Sequence, residues 1–311
     1  MIRSVTLSLI RGFAMGAADI VPGVSGGTIA LIFGIYERLI ASVRAGSSAL
    51  GHLVKLDFAG FKQWFARVEW FFIVPLGTGI LLAILLLAQA LETLLINQAV
   101  LMAALFVGLV LGSVVITWRM FKDATPQLVG IVAVVGIVVF VLLGLRGGTS
   151  EESVAQVTDP ALWAFFASGA IAIVAMILPG ISGSFLLVLM GMYGPVLGAV
   201  TDRDLLALGV FSIGAVIGLA LFSQLLDKAL NTHHDLVLAS LIGLMAGSMR
   251  VLWPWPLGVD STALGSPDSD LVASILVTVV AFVAVILIAN VAQKLEVSDR
   301  ASADSSGSPT S

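Results

Sequence analysis

The sequence predicts an all-α integral membrane protein made of two inverted repeats, each a broken, re-entrant helical hairpin followed by three transmembrane helices. The first observation behind this prediction is composition, since 59% of the 311 residues are hydrophobic and 11% are charged. The second is that apolar runs of about twenty residues, long enough to cross a bilayer, recur along the chain. The third is a motif that interrupts two of these runs at corresponding places in the two halves of the sequence.

The composition excludes several classes of protein. Soluble domains carry about 25% charged residues, so this chain lacks the polar surface needed to cover a water-exposed fold. There are no cysteines, which excludes disulfides and thiolate metal sites. The charged residues form no basic stripe of the kind that binds nucleic acid. We expect no cofactor, no metal site and no nucleic-acid partner.

The apolar runs divide the chain into two repeats and a tail. The first repeat, 1–146, contains a re-entrant hairpin over 4–43, an insert over 44–69 and spans over 70–91, 99–118 and 127–145. A polar linker over 147–160 follows it. The second repeat, 161–295, contains a hairpin over 161–200 and spans over 205–226, 236–252 and 271–291. The Ser- and Asp-rich segment 296–311 is predicted to be a disordered cytoplasmic tail.

The insert over 44–69 differs from the runs around it. It places cations such as Lys55 and Lys62 beside apolar residues spaced three and four positions apart. This spacing indicates an amphipathic helix, and its charge favours the surface of the membrane.

An internal duplication is visible in the sequence. Residues 12–36 and 169–193 are identical at nine of 25 positions, and both copies contain Pro-Gly-x-Ser-Gly. A second similarity pairs GLVLGS at 108–113 with GLMAGS at 243–248. The difference in residue number between matching positions falls from 157 in the first pair to 135 in the second, because the insert has no counterpart in the second half. Repeats of this kind are typical of secondary transporters.

The distribution of cations predicts the topology. If each hairpin enters and leaves on one side, three spans in the first repeat invert the second repeat. With the N-terminus in the cytoplasm, twelve of the 15 Lys and Arg residues lie inside, which obeys the positive-inside rule. The three cations outside are Arg146, Arg203 and Arg250. Shallow re-entrant hairpins and pairs of full crossings obey this rule equally well.

The two copies of the motif are the predicted substrate site. The first copy supplies Pro22, Gly23, Ser25, Gly26, Gly27 and Thr28, and the second supplies Pro179, Gly180, Ser182, Gly183 and Ser184. Proline and glycine interrupt the helix, and a helix that restarts after them presents free amides and a positive dipole end to an anion such as phosphate. The alternative is that these small residues only let helices pack closely, as we expect for the Gly-x-x-x-Gly patterns beginning at Gly12, Gly108, Gly214 and Gly243.

Three charged residues near the motifs are further candidates. Asp19 is an acid inside an apolar run. A charged side chain in the membrane is energetically costly and usually has a function, so we assign Asp19 to ion coupling. Its counterpart in the second copy is Met176. Asp19 alternatively caps a helix or pairs with Arg11. Arg11 is a candidate counter-charge for phosphate or a membrane anchor, and Arg250 is the candidate on the outer side. Tyr36, like its counterpart, is interpreted as an interfacial anchor.

An enzyme is a poor fit to these residues. Residues 23–27 match Gly-x-Ser-x-Gly, the nucleophile elbow of hydrolases. That elbow needs a strand before it and a histidine base, whereas this segment is flanked by helical apolar runs and none of the three histidines falls in a predicted span. We predict no catalytic residues.

The segments 15–37, 179–193 and 243–255 resemble the bacterial PopT-like polyprenyl-phosphate (undecaprenyl-phosphate) translocase family, and the resemblance covers about 1–295. It implies a flippase that returns the carrier lipid phosphate to the cytoplasmic leaflet of the bacterial plasma membrane for cell-wall synthesis. The implied partners are a polyprenyl-phosphate lipid, the membrane and a coupling ion, proton or sodium; a homo-oligomer is left open. The alternative from the residues alone is a carrier or channel for a small anion.

Overall fold

The computed structural model describes residues 2–20, 25–121, 123–145, 157–256, 262–267 and 270–306. Over these residues the chain is almost entirely helical, with one isolated bridge between Pro256 and Leu264. Five of the described helices are long and apolar enough to cross a membrane. In a bilayer, helices satisfy every backbone polar group internally. The prediction of an all-α integral membrane protein is therefore confirmed.

In the described part of the chain the helices follow one another without strands between them. The first half contains α1 (Ile2–Asp19), α2 (Gly26–Ile32), α3 (Tyr36–Val54), α4 (Phe58–Phe65), α5 (Trp70–Asn97), α6 (Ala99–Trp118) and α7 (Pro126–Leu145). The second half contains α8 (Leu162–Ile177), α9 (Gly183–Leu189), α10 (Tyr193–Thr201), α11 (Leu205–Thr232), α12 (His234–Ser248) and α13 (Leu271–Ser306).

Both halves begin with the same series of breaks. A long helix ends before the motif, a seven-residue helix follows the motif, and a third helix begins at a tyrosine. Gly34 and Gly191 separate the second and third helices with φ values of +67° and +66°. The second arm of each predicted hairpin, over 4–43 and 161–200, is therefore divided into two helices. Glycine adopts this left-handed conformation without strain and commonly ends helices.

Helices α1 and α5 pack closely and run in the same direction. Gly12 lies against the backbone of Leu76, and one turn later Gly16 lies against Ile80, where an added Cβ would stand 2.5 Å from the carbonyl oxygen. In the second half α8 and α11 repeat this arrangement. An added Cβ at Gly218 would stand 2.6 Å from the carbonyl oxygen of its neighbour on α8. Small residues thus bring the backbones together, as predicted for these glycine patterns.

The remaining long helices pair across the two halves. Gly108 and Gly112 of α6 pack against α13, and Gly243 and Gly247 of α12 pack against α7. In both pairs the later glycine contacts a later turn of its partner, so the paired helices run in the same direction. The predicted packing role of these glycines is confirmed, and the two halves form one bundle.

The insert is two helices rather than one interfacial helix. The chain turns between α3 and α4 at Leu56, with φ 58°, and Asp57 caps α4 by accepting a hydrogen bond of 2.9 Å from the Gly60 amide. That bond lowers the pKa of the Asp57 carboxyl. Arg44 of α3 forms an ion pair with the buried Asp227 of α11. The insert therefore packs against the second half, because α3 continues past the predicted hairpin into the insert.

The last helix also differs from the prediction. The backbone of α13 stays helical to Ser306, although a disordered tail was predicted from residue 296. The segment 292–306 contains no proline or glycine and includes several good helix formers, so nothing in it breaks the helix. The first glycine after the span is Gly307.

Helix α2 lies in the centre of the bundle. All seven of its residues are buried, and it contacts α6 and α8. Its apolar residues belong to the same buried cluster as Leu238, Leu241 and Met245 of α12. The fold therefore holds the described part of the first motif, residues 25–28, deep inside the protein, next to the end of α8.

Candidate functional site

Ser25 organises the start of α2. Its backbone is extended, its hydroxyl oxygen accepts a hydrogen bond of 3.1 Å from the Gly27 amide, and its carbonyl oxygen accepts one of 2.8 Å from the Thr28 amide. This is the usual role of a serine at a helix N-cap. Pro22 and Gly23, predicted in the same site, lie outside the described residues.

Asp19 occupies the position at the start of α2 that an anion would favour. Its Oδ1 atom accepts a hydrogen bond of 2.6 Å from the Gly26 amide. The first three amides of α2 are therefore all satisfied by the protein itself, from Asp19 and Ser25. The geometry matches the capping role left open for Asp19, and it places a carboxylate where phosphate was predicted to bind.

The first motif also satisfies the end of α8. The last carbonyl groups of a helix have no partner within the helix. The Ser25 hydroxyl donates to the Met176 carbonyl oxygen at 3.0 Å, and the Tyr36 hydroxyl donates to the Ile177 carbonyl oxygen at 3.3 Å. Tyr36 is 2% exposed, so its interpretation as an interfacial anchor is wrong. Its hydroxyl is used in the interior instead.

The two motifs touch each other directly. The Gly180 amide donates to the Thr28 hydroxyl oxygen at 3.1 Å. Gly180 has φ +83°, and an added Cβ there would stand 2.9 Å from the Met245 Cα atom and from the Ser248 hydroxyl oxygen. The buried Pro179 precedes it in the turn after α8. This close approach, possible only for glycine, brings α12 against the junction of the motifs.

The second motif is arranged differently from the first. The Ser182 hydroxyl does not cap α9; it lies 2.8 Å from the Ser184 hydroxyl oxygen instead. Ser182 and Gly183 are buried, whereas Ser184 is exposed. Both serines line a neighbouring cavity.

That cavity has a volume of about 250 Å³ and brings the second motif together with Asp19. Its lining consists of Asp19, Ala172, Met176, Ile181, Ser182, Gly183, Ser184, Leu187 and Phe211. The polar residues are Asp19 from the first half and Ser182 and Ser184 from the second. A pocket with a few convergent polar groups in apolar surroundings is the usual form of a ligand site.

The two predicted arginines do not line this cavity. Arg11 is 4% exposed in α1, with its guanidinium carbon 6.0 Å from the centre of the Phe33 ring. Arg250 donates from Nε to the Thr262 carbonyl oxygen at 3.0 Å and lies 4.7 Å above the Phe140 ring. The structure therefore keeps both cations apart from the junction of the motifs.

Sequence reasoning missed several residues of the site. Ile181 and Phe211 line the cavity but carry no distinctive chemistry. The Met176 carbonyl oxygen accepts the Ser25 hydroxyl across 151 positions of sequence. The only available signal was the repeat itself, which aligns Met176 with Asp19 and so places both at the end of the first helix of a hairpin.

Comparisons with known proteins find relatives that are named as transporters. Residues 15–266 match the family model described as undecaprenyl phosphate translocase-like. A polyprenyl-phosphate transporter of Vibrio cholerae is 40% identical over 254 residues, which cover 79% of this chain and 77% of that protein. A polyprenyl-phosphate transporter of Staphylococcus aureus is 28% identical over 264 residues, covering 80% of this chain and 86% of that protein. No solved structure matches the chain.

The family model covers most of the chain, including both motifs and the contact between them. Both relatives are named as transporters, in agreement with the prediction that the chain is not an enzyme. The chain therefore belongs to the undecaprenyl phosphate translocase-like family and is a membrane transporter.

Proposed function

We propose that the protein is a flippase that moves undecaprenyl or a related polyprenyl phosphate from the outer to the cytoplasmic leaflet of the bacterial inner membrane. This movement would recycle the carrier lipid for cell-wall synthesis. The names of both relatives support the substrate. The observation that carries the proposal is the cavity between Asp19 and the second motif, because it combines polar residues from both halves inside an apolar bundle.

The phosphate is proposed to bind beside Ser182 and Ser184, which both line the cavity. Asp19 faces the same space, and a carboxylate repels a phosphate group unless a proton or a cation neutralises it. Binding of substrate and binding of a proton or sodium ion at Asp19 would therefore favour each other. This linkage supports coupling to an ion gradient, and it gives Asp19 a function beyond capping α2.

An inverted arrangement of the halves is proposed for alternating access. Helices α1 and α5 run in the same direction, as do α8 and α11. If α5, α6 and α7 each cross the membrane, α8 enters from the side opposite to α1. Inverted repeats with broken helices at the midplane allow a central site to be reached from either side. The contact between the two motifs supports this proposal.

The proposed function is tested by leaflet-resolved detection of polyprenyl phosphate in liposomes containing the purified protein. We expect protein-containing liposomes to move the lipid between leaflets, and protein-free liposomes to show only slow spontaneous movement. A small-anion carrier would instead move inorganic phosphate and leave the lipid in its original leaflet. That second result would contradict the proposal and favour the alternative.

Topology gives a separate prediction. The cation distribution places both termini and the insert in the cytoplasm and residues 146–160 outside. The chain contains no cysteine, so single cysteines report their own position with an impermeant thiol reagent. We expect Ser150→Cys to be labelled in intact cells, and Lys55→Cys only after the membrane is opened. Labelling of Lys55→Cys from outside would overturn the orientation.

A further inference from the structure

A second, apolar space lies beside the cavity. It is a groove of about 410 Å³ between α8, α9 and α11. The groove is lined by Ala170, Ile171, Val174, Ala175, Leu178, Ile181, Leu186, Gly218, Leu221, Phe222 and Leu225. Every one of these side chains is apolar or absent. Leu221 and Leu225 are 65% and 63% exposed, so the groove opens at the outer surface of the bundle.

The groove and the cavity are neighbours. Ile181, in the turn before α9, lines both spaces. Helix α8 contributes to both as well, with Ala172 and Met176 on the cavity and Ala170 and Val174 on the groove. Residues two positions apart on a helix point in different directions. A polar space and an apolar space therefore lie on either side of one helix and meet at Ile181.

This juxtaposition matches a molecule with an anionic head joined to a single apolar chain. We propose that the groove holds the isoprenoid units next to the phosphate while the phosphate lies in the cavity, an inference that rests on the proposed function. The opening at Leu221 and Leu225 lets the rest of the chain stay in the bilayer. A free anion would need the cavity alone and would leave the groove unexplained.

The groove contributes selectivity for the shape of the lipid chain rather than a large gain in affinity. A lipid tail is already in apolar surroundings, so moving it into the groove gains little from the hydrophobic effect. What the groove adds is close packing against one chain of the right shape, and such packing discriminates about 10- to 200-fold per methylene in apolar pockets. A bulky residue in the groove should therefore weaken binding of the long lipid without affecting a short phosphate ester.

The test uses Leu221→Trp, with Leu225→Trp as a second filling variant and Ile213→Trp as the matched control. Ile213 lies on α11, is 55% exposed and does not line the groove. Affinities for undecaprenyl phosphate and for methyl phosphate, which has no isoprenoid unit, are measured on the full-length protein in detergent. We expect each filling variant to lose about tenfold or more in affinity for undecaprenyl phosphate and to keep wild-type affinity for methyl phosphate. The control should resemble wild type.

The outcomes separate the groove from the function. If the wild type binds undecaprenyl phosphate and both filling variants bind it equally well, the groove is only lipid-facing surface and the inference is wrong. An equal loss of affinity for both esters would mean that the variants distort the cavity, and would also overturn the inference. If the wild type binds neither ester, it is the proposed function that fails.

Discussion

Gly26→Val and Gly183→Val should each abolish polyprenyl-phosphate binding, although they lie in different halves of the chain. An added Cβ at Gly183 would stand 2.6 Å from the Met176 Cγ atom and 2.7 Å from the Ala172 carbonyl oxygen. At Gly26 it would stand 2.7 Å from the Asp19 Oδ2 atom. Real Cβ atoms do not tolerate such distances. At Gly183 the backbone beside the cavity must therefore shift, and at Gly26 the Asp19 carboxyl group must leave its place in the cavity lining.

Serine substitutions at the same motifs should separate binding from packing. Ser182 lines the cavity, so Ser182→Ala should weaken phosphate binding by about 1.5–3 kcal/mol, as expected for a lost hydrogen bond to a charged group. The Ser25 hydroxyl instead joins α2 to the Met176 carbonyl oxygen. Ser25→Ala should therefore lower stability by about 1–3 kcal/mol, because a buried acceptor loses its donor.

Both sets of variants are measured by polyprenyl-phosphate affinity and by thermal stability in detergent. A pure packing role for the motifs predicts that Ser182→Ala is nearly silent, since alanine keeps the residue small. Wild-type affinity in Ser182→Ala would remove its hydroxyl from the site. If both valine variants also fold and bind normally, the central anion site itself must be abandoned.

The repeat made much of the fold predictable. The helices of each repeat break where proline, glycine and serine interrupt apolar runs. These breaks depend on the residue types at those positions and not on distant contacts, so they can be predicted from the sequence. The second break at Gly34 was missed, because one glycine in an apolar run does not by itself end a membrane helix. The identity of Gly34 with Gly191 in the other copy was the available signal, since both adopt the same left-handed conformation.

The details of the site were less predictable because they depend on contacts between distant parts of the chain. The sequence identified Asp19 and the motifs, but no local rule pairs the Gly26 amide with Asp19 across a break in the helix. Nor does any rule pair the Thr28 hydroxyl with the Gly180 amide across 152 positions. The predicted role of Arg250 depended in the same way on its neighbours, which are Phe140 and the Thr262 carbonyl group.

The role of Asp19 can be isolated by the choice of substitution. Asp19→Asn keeps an oxygen that can accept the Gly26 amide hydrogen, so the start of α2 should stay intact. The substitution removes only the negative charge and the carboxyl group that could bind a proton. Asp19→Ala removes the acceptor as well and should cost about 1–3 kcal/mol of stability, since the Gly26 amide would lose its partner. The pair of variants therefore distinguishes the cap from the charge.

We expect Asp19→Asn to express and fold like wild type but to transport polyprenyl phosphate without any dependence on a proton or sodium gradient. The physical reason is that the Asp19 carboxylate would repel phosphate from the cavity that it lines until a proton or cation neutralises it. The neutral asparagine amide needs no such neutralisation. Met176 stands at the corresponding position of the other half, so no second acid can substitute. The measurement is leaflet-resolved transport in liposomes with an imposed pH or sodium gradient. If Asp19→Asn keeps the wild-type dependence on the gradient, Asp19 only caps α2 and the coupling group lies elsewhere.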